Sequence, residues 1–219
     1  YKLGLFMVLY RTAYTLGIEP FFFSHASNEN AQQTYATVTK YFVIFGSFIL
    51  LTVIVFADLL KQIMIPNPSY WEAMKVVPLI ILANFFLGIY TNLSVWYKLI
   101  DKTYVGAYIS IAGAVVTLVL NYLLIPKYSY YGSAIATISA YGSMMFISYY
   151  LGNKYYPIPY DKKKIVGYLG LSTGFSCISF YGFNGNYYIG ISLLAIFMGF
   201  IYYSEKETLL RILKRPTKN

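Results

Sequence analysis

Long runs of apolar residues without a single charge follow one another along the chain. Such runs cover residues 76–97, 103–126 and 128–153. The hydrocarbon core of a bilayer is ~30 Å thick and a helix rises ~1.5 Å per residue, so about 20 apolar residues cross it. The runs are continuous rather than alternating apolar and polar, which favours helices over membrane-spanning strands. We therefore predict a membrane-spanning helix in each run.

A longer uncharged run covers residues 165–204, which is about twice what one span needs. Its middle, residues 181–186, reads Tyr-Gly-Phe-Asn-Gly-Asn and has the composition of a turn. This pattern predicts a helical hairpin with its arms over residues 165–180 and 187–203.

Two further spans come earlier in the chain. Residues 41–57 are uncharged, and residues 3–24 are apolar except for Arg11 and Glu19. Counting both, the sequence predicts seven membrane-spanning helices.

Composition supports this fold class. Hydrophobic residues make up 58% of the chain and charged residues 11%, against about 25% in soluble domains. So little charge cannot cover a soluble surface, and disordered chains are poor in the apolar residues that dominate here. The expected class is an all-α, polytopic membrane helix bundle in a multi-pass membrane protein.

The residue inventory also limits the chemistry. Cys177 is the single cysteine and His25 the single histidine, which excludes an internal disulfide and a multi-histidine or cysteine-rich metal site. No nucleophile–base constellation and no glycine-rich phosphate loop occurs. We expect neither enzymatic activity, nor a metal, nor a cofactor.

Basic residues predict the orientation, because Lys and Arg concentrate in cytoplasmic loops. Of the 17 basic residues, Arg11 lies within a span, twelve fall on one side and four on the other. The larger group is Lys40, Lys98, Lys102, Lys154, Lys162, Lys163, Lys164, Lys206, Arg211, Lys214, Arg215 and Lys218; the smaller is Lys2, Lys61, Lys75 and Lys127. This split predicts the N-terminus outside and the C-terminus in the cytoplasm, and it accounts for the net charge of +9 without nucleic-acid binding.

The longest basic connection suggests how the chain is divided. Residues 154–164 hold two prolines and four lysines. We predict that this cytoplasmic linker separates a five-helix unit over residues 1–153 from the hairpin over 165–204, with a cytoplasmic tail over 205–219.

Small residues predict close helix packing in the apolar run over residues 128–153. Gly132, Ala136 and Ala140 recur every four residues, a spacing that lets helix backbones approach in lipid. We expect the spans over 103–126 and 128–153 to form an antiparallel pair, closed by a turn between Pro126 and Gly132.

Arg11 and Glu19 are the clearest functional candidates, because charges inside a membrane are costly and usually face a cavity or a partner. They lie eight residues apart, which is too far along one helix for direct pairing. Arg11 suits an anion in an aqueous cavity, since a guanidinium binds phosphate through two parallel bonds; a structural ion pair is the alternative. Glu19 is a candidate for ion coupling or, alternatively, reaches the interface.

Asn84 and Asn92 lie in the middle and later part of one predicted span. Their amides could bond the hydroxyl groups of a sugar. Bonding to a neighbouring helix is the alternative, and such bonds are common in membrane bundles.

One stretch carries a family resemblance. Residues 121–137 read Asn-Tyr-Leu-Leu-Ile-Pro-Lys-Tyr-Ser-Tyr-Tyr-Gly-Ser-Ala-Ile-Ala-Thr, and residues 70–79 read Tyr-Trp-Glu-Ala-Met-Lys-Val-Val-Pro-Leu. Both resemble the polysaccharide flippases of the multidrug/oligosaccharidyl-lipid/polysaccharide exporter superfamily. The resemblance covers most of residues 1–153.

The resemblance implies a function and partners. Proteins of that family have about fourteen helices with both ends in the cytoplasm, so this chain would be the C-terminal half and an N-terminal lobe its partner. The implied activity is flipping of a polyprenyl-pyrophosphate-linked oligosaccharide by alternating access in the bacterial cytoplasmic membrane, with membrane lipid around the spans. A cation-coupled multidrug exporter of the same superfamily, a seven-helix receptor and a structural membrane subunit remain alternatives.

Overall fold

The computed structural model describes residues 2–213, with side chains up to residue 208. Helices form almost all of this part of the chain, and no strand occurs in it. In a bilayer no water is available to the backbone, and a helix satisfies its own N–H and C=O groups. The expected all-α class is confirmed for the described residues.

Nine α-helices follow a short 3₁₀ turn at Lys2–Gly4 in residues 2–213. They are α1 (Leu5–Ser24), α2 (Ala31–Val55), α3 (Ala57–Met64), α4 (Val77–Leu93), α5 (Val95–Leu99), α6 (Thr103–Tyr128), α7 (Tyr130–Tyr155), α8 (Lys162–Cys177) and α9 (Tyr187–Leu213). A 3₁₀ segment over Pro68–Val76 leads into α4, and a π-helical turn over Ile178–Gly182 extends α8.

Six helical segments among the described residues are long and apolar enough to cross a membrane. They are Ala31–Val55, Pro68–Leu99, Thr103–Tyr128, Tyr130–Tyr155, Lys162–Gly182 and Tyr187–Thr208. Helix α1 is also long enough, but Arg11 and Glu19 lower its hydropathy and it is not among the six. The protein is therefore multi-pass, and a seventh span stays a prediction.

Helix α2 begins at Ala31, ten residues before the predicted start of its span. The uncharged run begins after Lys40, which the sequence pattern assigns to a loop. Lys40 instead lies inside α2, where its Nζ donates to Oε2 of the buried Glu205 at 2.6 Å. A charge with a partner on another helix can lie inside a span.

The hairpin helices are also longer than predicted. Helix α8 starts at Lys162, because the Asp161 carboxylate accepts the backbone N–H of Lys164 and caps the first turn. Helix α9 runs to Leu213, so most of the predicted tail is helical. Residues 214–219 of that tail lie outside the described residues, and the predicted domain boundaries stay predictions.

Helices α2 and α4 form the centre of the bundle, and α1 packs on both of them. Helix α2 runs antiparallel to α1, since Tyr10 donates to the Phe42 carbonyl at 2.9 Å and Tyr35 to the Phe22 carbonyl at 2.9 Å. Helices α2 and α4 approach closely through two glycines. A Cβ atom on Gly46 would lie 2.3 Å from the Phe85 ring, and one on Gly88 would lie 2.6 Å from the Phe42 ring. Each helix thus accepts an aromatic ring of the other.

Helices α6 and α7 form the expected antiparallel pair. Helix α6 continues through Pro126 to Tyr128, and Ser129, at a φ of 50°, is the single residue between the helices. The turn is therefore tighter than predicted. Ala136 and Ala140 are fully buried, and the small-residue spacing predicted this.

The hairpin α8–α9 packs on α2. Gly190 near the start of α9 lies against Val55, the last residue of α2, while Glu205 near the end of α9 contacts Lys40. Helix α9 therefore runs antiparallel to α2, as α1 does. Lys2 and Leu213 consequently lie at opposite ends of the bundle.

Candidate functional site

The four predicted site residues lie along one surface, where α1 packs parallel to α4 and its continuation α5. The contacts run in register along the two helices: Gly4 beside Asn84, Arg11 beside Gly88, Tyr14 with Asn92, and Glu19 with Lys98. We name this surface the α1–α4 seam. The sequence placed the charges on one span and the amides on another, and the fold brings the two spans together.

Arg11 is half-buried on the seam. Its Cγ lies 3.5 Å from the position a Cβ atom would occupy on Gly88, so the glycine makes room for the arginine stem. No carboxylate lies within 4.0 Å of the guanidinium and no hydrogen bond to it forms among residues 2–208.

Asn84 lies nearer the start of α4 and is half-buried. Its Nδ2 donates to the carbonyl of Ile80 at 2.9 Å, one turn earlier in the same helix. Oδ1 accepts no hydrogen bond from the described residues and remains able to accept one from a ligand hydroxyl.

Asn92 is only 1% exposed, and both ends of its amide are bonded within the protein. Oδ1 accepts from the Tyr14 hydroxyl at 2.6 Å, and Nδ2 donates to the Gly88 carbonyl at 3.0 Å. This arrangement is the helix-to-helix bond that the sequence left open as an alternative to sugar binding. Asn92 thereby bonds α4 to α1, about one turn further along both helices than the contact between Arg11 and Gly88.

Glu19 pairs with Lys98 of α5, and both side chains are partly exposed. Lys98 is therefore the partner that Glu19 needs from another helix. The sequence pattern assigns this lysine to a loop. A cleft of about 10 Å³, room for about one water molecule, lies beside the pair and is lined by Tyr14, Asn92 and Thr91. Glu19 thus has a fixed positive neighbour and access to water.

The charges of the seam sum to one positive charge, with Arg11 and Lys98 against Glu19. Because Glu19 neutralises Lys98, the unpaired positive charge belongs to Arg11. A half-buried guanidinium without a carboxylate is suited to an anionic group with two oxygens in one plane.

Two residues of the seam were missed by sequence reasoning. Tyr14 was one of 26 tyrosines, and Lys98 followed an apolar run and was assigned to a connection. Spacing offered a signal for Tyr14, which lies about one turn after Arg11 and continues its face. Lys98 lies six residues after Asn92, which is not a same-face spacing, so no local pattern indicated it.

The described residues contain no group of three or more His, Cys, Asp or Glu side chains placed to hold a metal ion. The polar groups of the seam are a guanidinium, a lysine–glutamate ion pair, amides and hydroxyls.

Comparison with known proteins found a family match for one part of the chain. Residues 21–123, from the end of α1 into α6, match the MatE family. No curated protein and no solved structure matches the chain. The matched stretch includes all of α2 and α4, the helices that build the centre of the bundle and one wall of the seam. Residues 21–123 are therefore similar to the MatE family, whose members are transporters.

Proposed function

We propose that the chain is part of a transporter that flips polyprenyl-pyrophosphate-linked oligosaccharide across the bacterial cytoplasmic membrane by alternating access. The observation that carries this proposal is Arg11, a half-buried guanidinium on the seam with no acidic partner among the described residues. A pyrophosphate supplies the paired oxygens that such a group binds best.

The rest of the seam fits the same substrate class. Asn84 retains an acceptor for a sugar hydroxyl, and Thr91 lies beside the small cleft near Glu19. The seam would face a second transporter lobe, and the substrate would pass between the two. The apolar lipid chain can stay in the bilayer while the polar head crosses.

Multidrug export coupled to cations is the second candidate of this superfamily. That function calls for a membrane carboxylate able to bind a cation, and Glu19 is the residue for it on α1. Its pairing with Lys98 supplies a cation from the protein itself, which favours the oligosaccharide substrate.

We infer that α1 is a seventh span and that the basic end of the bundle faces the cytoplasm. At that end Lys102 and Lys154 both lie over the Tyr155 ring, and Lys162 lies over Tyr149. The gathering of lysines at one end is what the positive-inside rule requires of a cytoplasmic face.

The test replaces Arg11 in the native host and measures surface polysaccharide together with the amount of protein. Arg11→Lys keeps the charge but cannot form two parallel bonds, so we expect export to fall about tenfold or more at normal protein level. Thr12→Ala, on the exposed neighbour, is the control and should export normally. Normal export by Arg11→Ala at normal protein level would exclude the proposed role.

A further inference from the structure

A second candidate site lies on the other side of the bundle, in a groove of about 310 Å³ between α6 and α7. The side chains of Ala112, Ile147 and Leu151 form an apolar floor, and Lys102 and Tyr155 lie at one end. We name it the α6–α7 groove. It shares no residue with the α1–α4 seam, and the inference drawn from it does not depend on the proposed function.

Lys102 lines the charged end of the groove, and Lys154, which is not part of the lining, lies over the same aromatic ring. The Nζ of Lys102 lies 4.7 Å from the centre of the Tyr155 ring, and the Nζ of Lys154 lies 5.4 Å from it. Neither ammonium pairs with a carboxylate among the described residues. Two like charges share one aromatic ring, and an anion between them would relieve their repulsion.

The backbone adds to this positive end. Lys102 is the N-cap of the 26-residue helix α6, and no side chain caps that helix. The first N–H groups of a helix lack partners and favour an anion. The N–H of Val105 is already bonded to the Lys102 carbonyl, and the remaining first-turn N–H groups lie next to Lys102, so backbone and side chain attract the same kind of ligand.

The length of the groove indicates what kind of ligand could extend from the charged end along the apolar floor. Lys102 and Ala112 are ten residues apart on α6, which corresponds to ~15 Å along the helix axis. This is about half of a ~30 Å hydrocarbon core, or one leaflet. The charged end lies where α6 begins and α7 ends. For two membrane-spanning helices this is the level of the lipid headgroups.

We propose that the α6–α7 groove binds an anionic phospholipid of one leaflet. Its phosphate lies between Lys102 and Lys154 above Tyr155, and an acyl chain lies on the apolar floor. Basic pockets between membrane helices are known to recognise such headgroups. The exposed side chains of Tyr104 and Tyr108 line the same groove and would flank the acyl chain near the membrane interface.

The experiment measures binding of phosphatidylglycerol and phosphatidylcholine to the purified full chain in zwitterionic detergent by native mass spectrometry. We expect Lys102→Gln with Lys154→Gln to weaken phosphatidylglycerol binding about 30-fold, from the contribution of two lysines near a membrane surface. Lys163→Gln with Lys206→Gln removes the same charge from exposed positions outside the groove and should change binding less than threefold. Equal losses in both double variants would overturn the proposal.

Two further variants separate binding from folding and test the apolar floor. Lys102→Arg with Lys154→Arg keeps both charges and should keep the preference for phosphatidylglycerol. Ala112→Phe fills the groove and should weaken both lipids without removing that preference. Unchanged binding in Ala112→Phe would contradict the seating of an acyl chain. Displacement of phosphatidylglycerol by an equal amount of polyprenyl phosphate would show that a polyprenyl lipid is the true occupant, and would overturn the assignment.

Discussion

At the scale of single residues, Glu205 is the one buried charged residue among those that the structure describes, and several partners hold it. Glu205 is 3% exposed and accepts from Lys40 at 2.6 Å, from Lys164 at 2.9 Å and from Tyr168 at 3.0 Å. These donors come from α2 and α8, while Glu205 belongs to α9. One carboxylate therefore joins three helices and fixes the hairpin to α2.

Removing this carboxylate should destabilise the bundle strongly. Glu205→Gln leaves two ammonium groups without an anion, and breaking a buried pair from one side costs on the order of 3 kcal/mol. Thermal unfolding in detergent should show a clearly lower melting temperature. Glu207→Gln, on an exposed residue of the same helix, is the matched control and should melt like the wild type. Equal melting of the two variants would contradict the role of Glu205.

The sequence identified the charges but not their partners. Lys40 and Glu205 are 165 positions apart, and Lys98 and Glu19 are 79 apart. No local pattern links residues so distant, and a search for uncharged runs ends at each lysine. Arg11 was identifiable because its run is apolar on both sides. Its position beside Gly88 required the packing of α1 on α4.

At the scale of helices, small residues decide how close neighbours come. A Cβ atom on Gly132 would lie 2.6 Å from the backbone carbonyl carbon and oxygen of Leu124, across the tight α6–α7 turn. That backbone cannot move aside as a flexible side chain would. Gly132 is thus required by the closeness of the two helices.

Gly132→Ala should therefore lower stability by ~1–3 kcal/mol, the usual cost of overpacking. Gly170→Ala is the control, because its Cβ meets no atom within 4 Å and gains only the higher helix propensity of alanine. We expect the first variant to melt below the wild type in detergent and the second at or above it. The reverse order would show that α6 and α7 are farther apart near their turn.

The repeat of small residues on α7 predicted burial correctly, but the ends of helices were less accessible to sequence reasoning. Pro126 suggested the end of a helix, yet it lies in the last turn of α6, where a missing N–H costs one bond at most. The helix ends at Ser129, and the positive φ of this residue could not be predicted from its type.

At the scale of the whole molecule, the helix directions and the distribution of lysines lead to one topology. Helices α1 and α9 run in the same direction, and the basic residues Lys98, Lys102, Lys154 and Lys162 lie towards one end of the bundle. The turn at Asn184 and Gly185 packs against Asp58 at the other end. Seven spans with the basic end in the cytoplasm follow as our prediction.

Cysteine labelling in intact cells tests this topology. Cys177 is first replaced by Ser, and single cysteines are then introduced as Lys163→Cys and Asn184→Cys. A membrane-impermeant reagent should label position 184 from outside and leave position 163 unlabelled until the cells are opened. Labelling of position 163 alone in intact cells would reverse the orientation.

The apolar runs predicted the membrane bundle, and the superfamily resemblance agrees with the MatE match over residues 21–123. The substrate could not be predicted with equal sharpness, because it depends on how side chains from two helices meet. Arg11 and Glu19 share α1, but their different roles appear only when Lys98 pairs with one and no carboxylate in the described chain pairs with the other.

The most direct test of the account is to delete the coding region for this chain in its native host and follow lipid-linked oligosaccharide and drug sensitivity together. A flippase predicts that surface polysaccharide is lost and that polyprenyl-pyrophosphate-linked oligosaccharide accumulates in the cytoplasmic leaflet, both restored by the wild-type gene but not by the Arg11→Lys variant. Surface polysaccharide at the wild-type level, together with raised sensitivity to lipophilic cations, would contradict the account and identify a multidrug exporter.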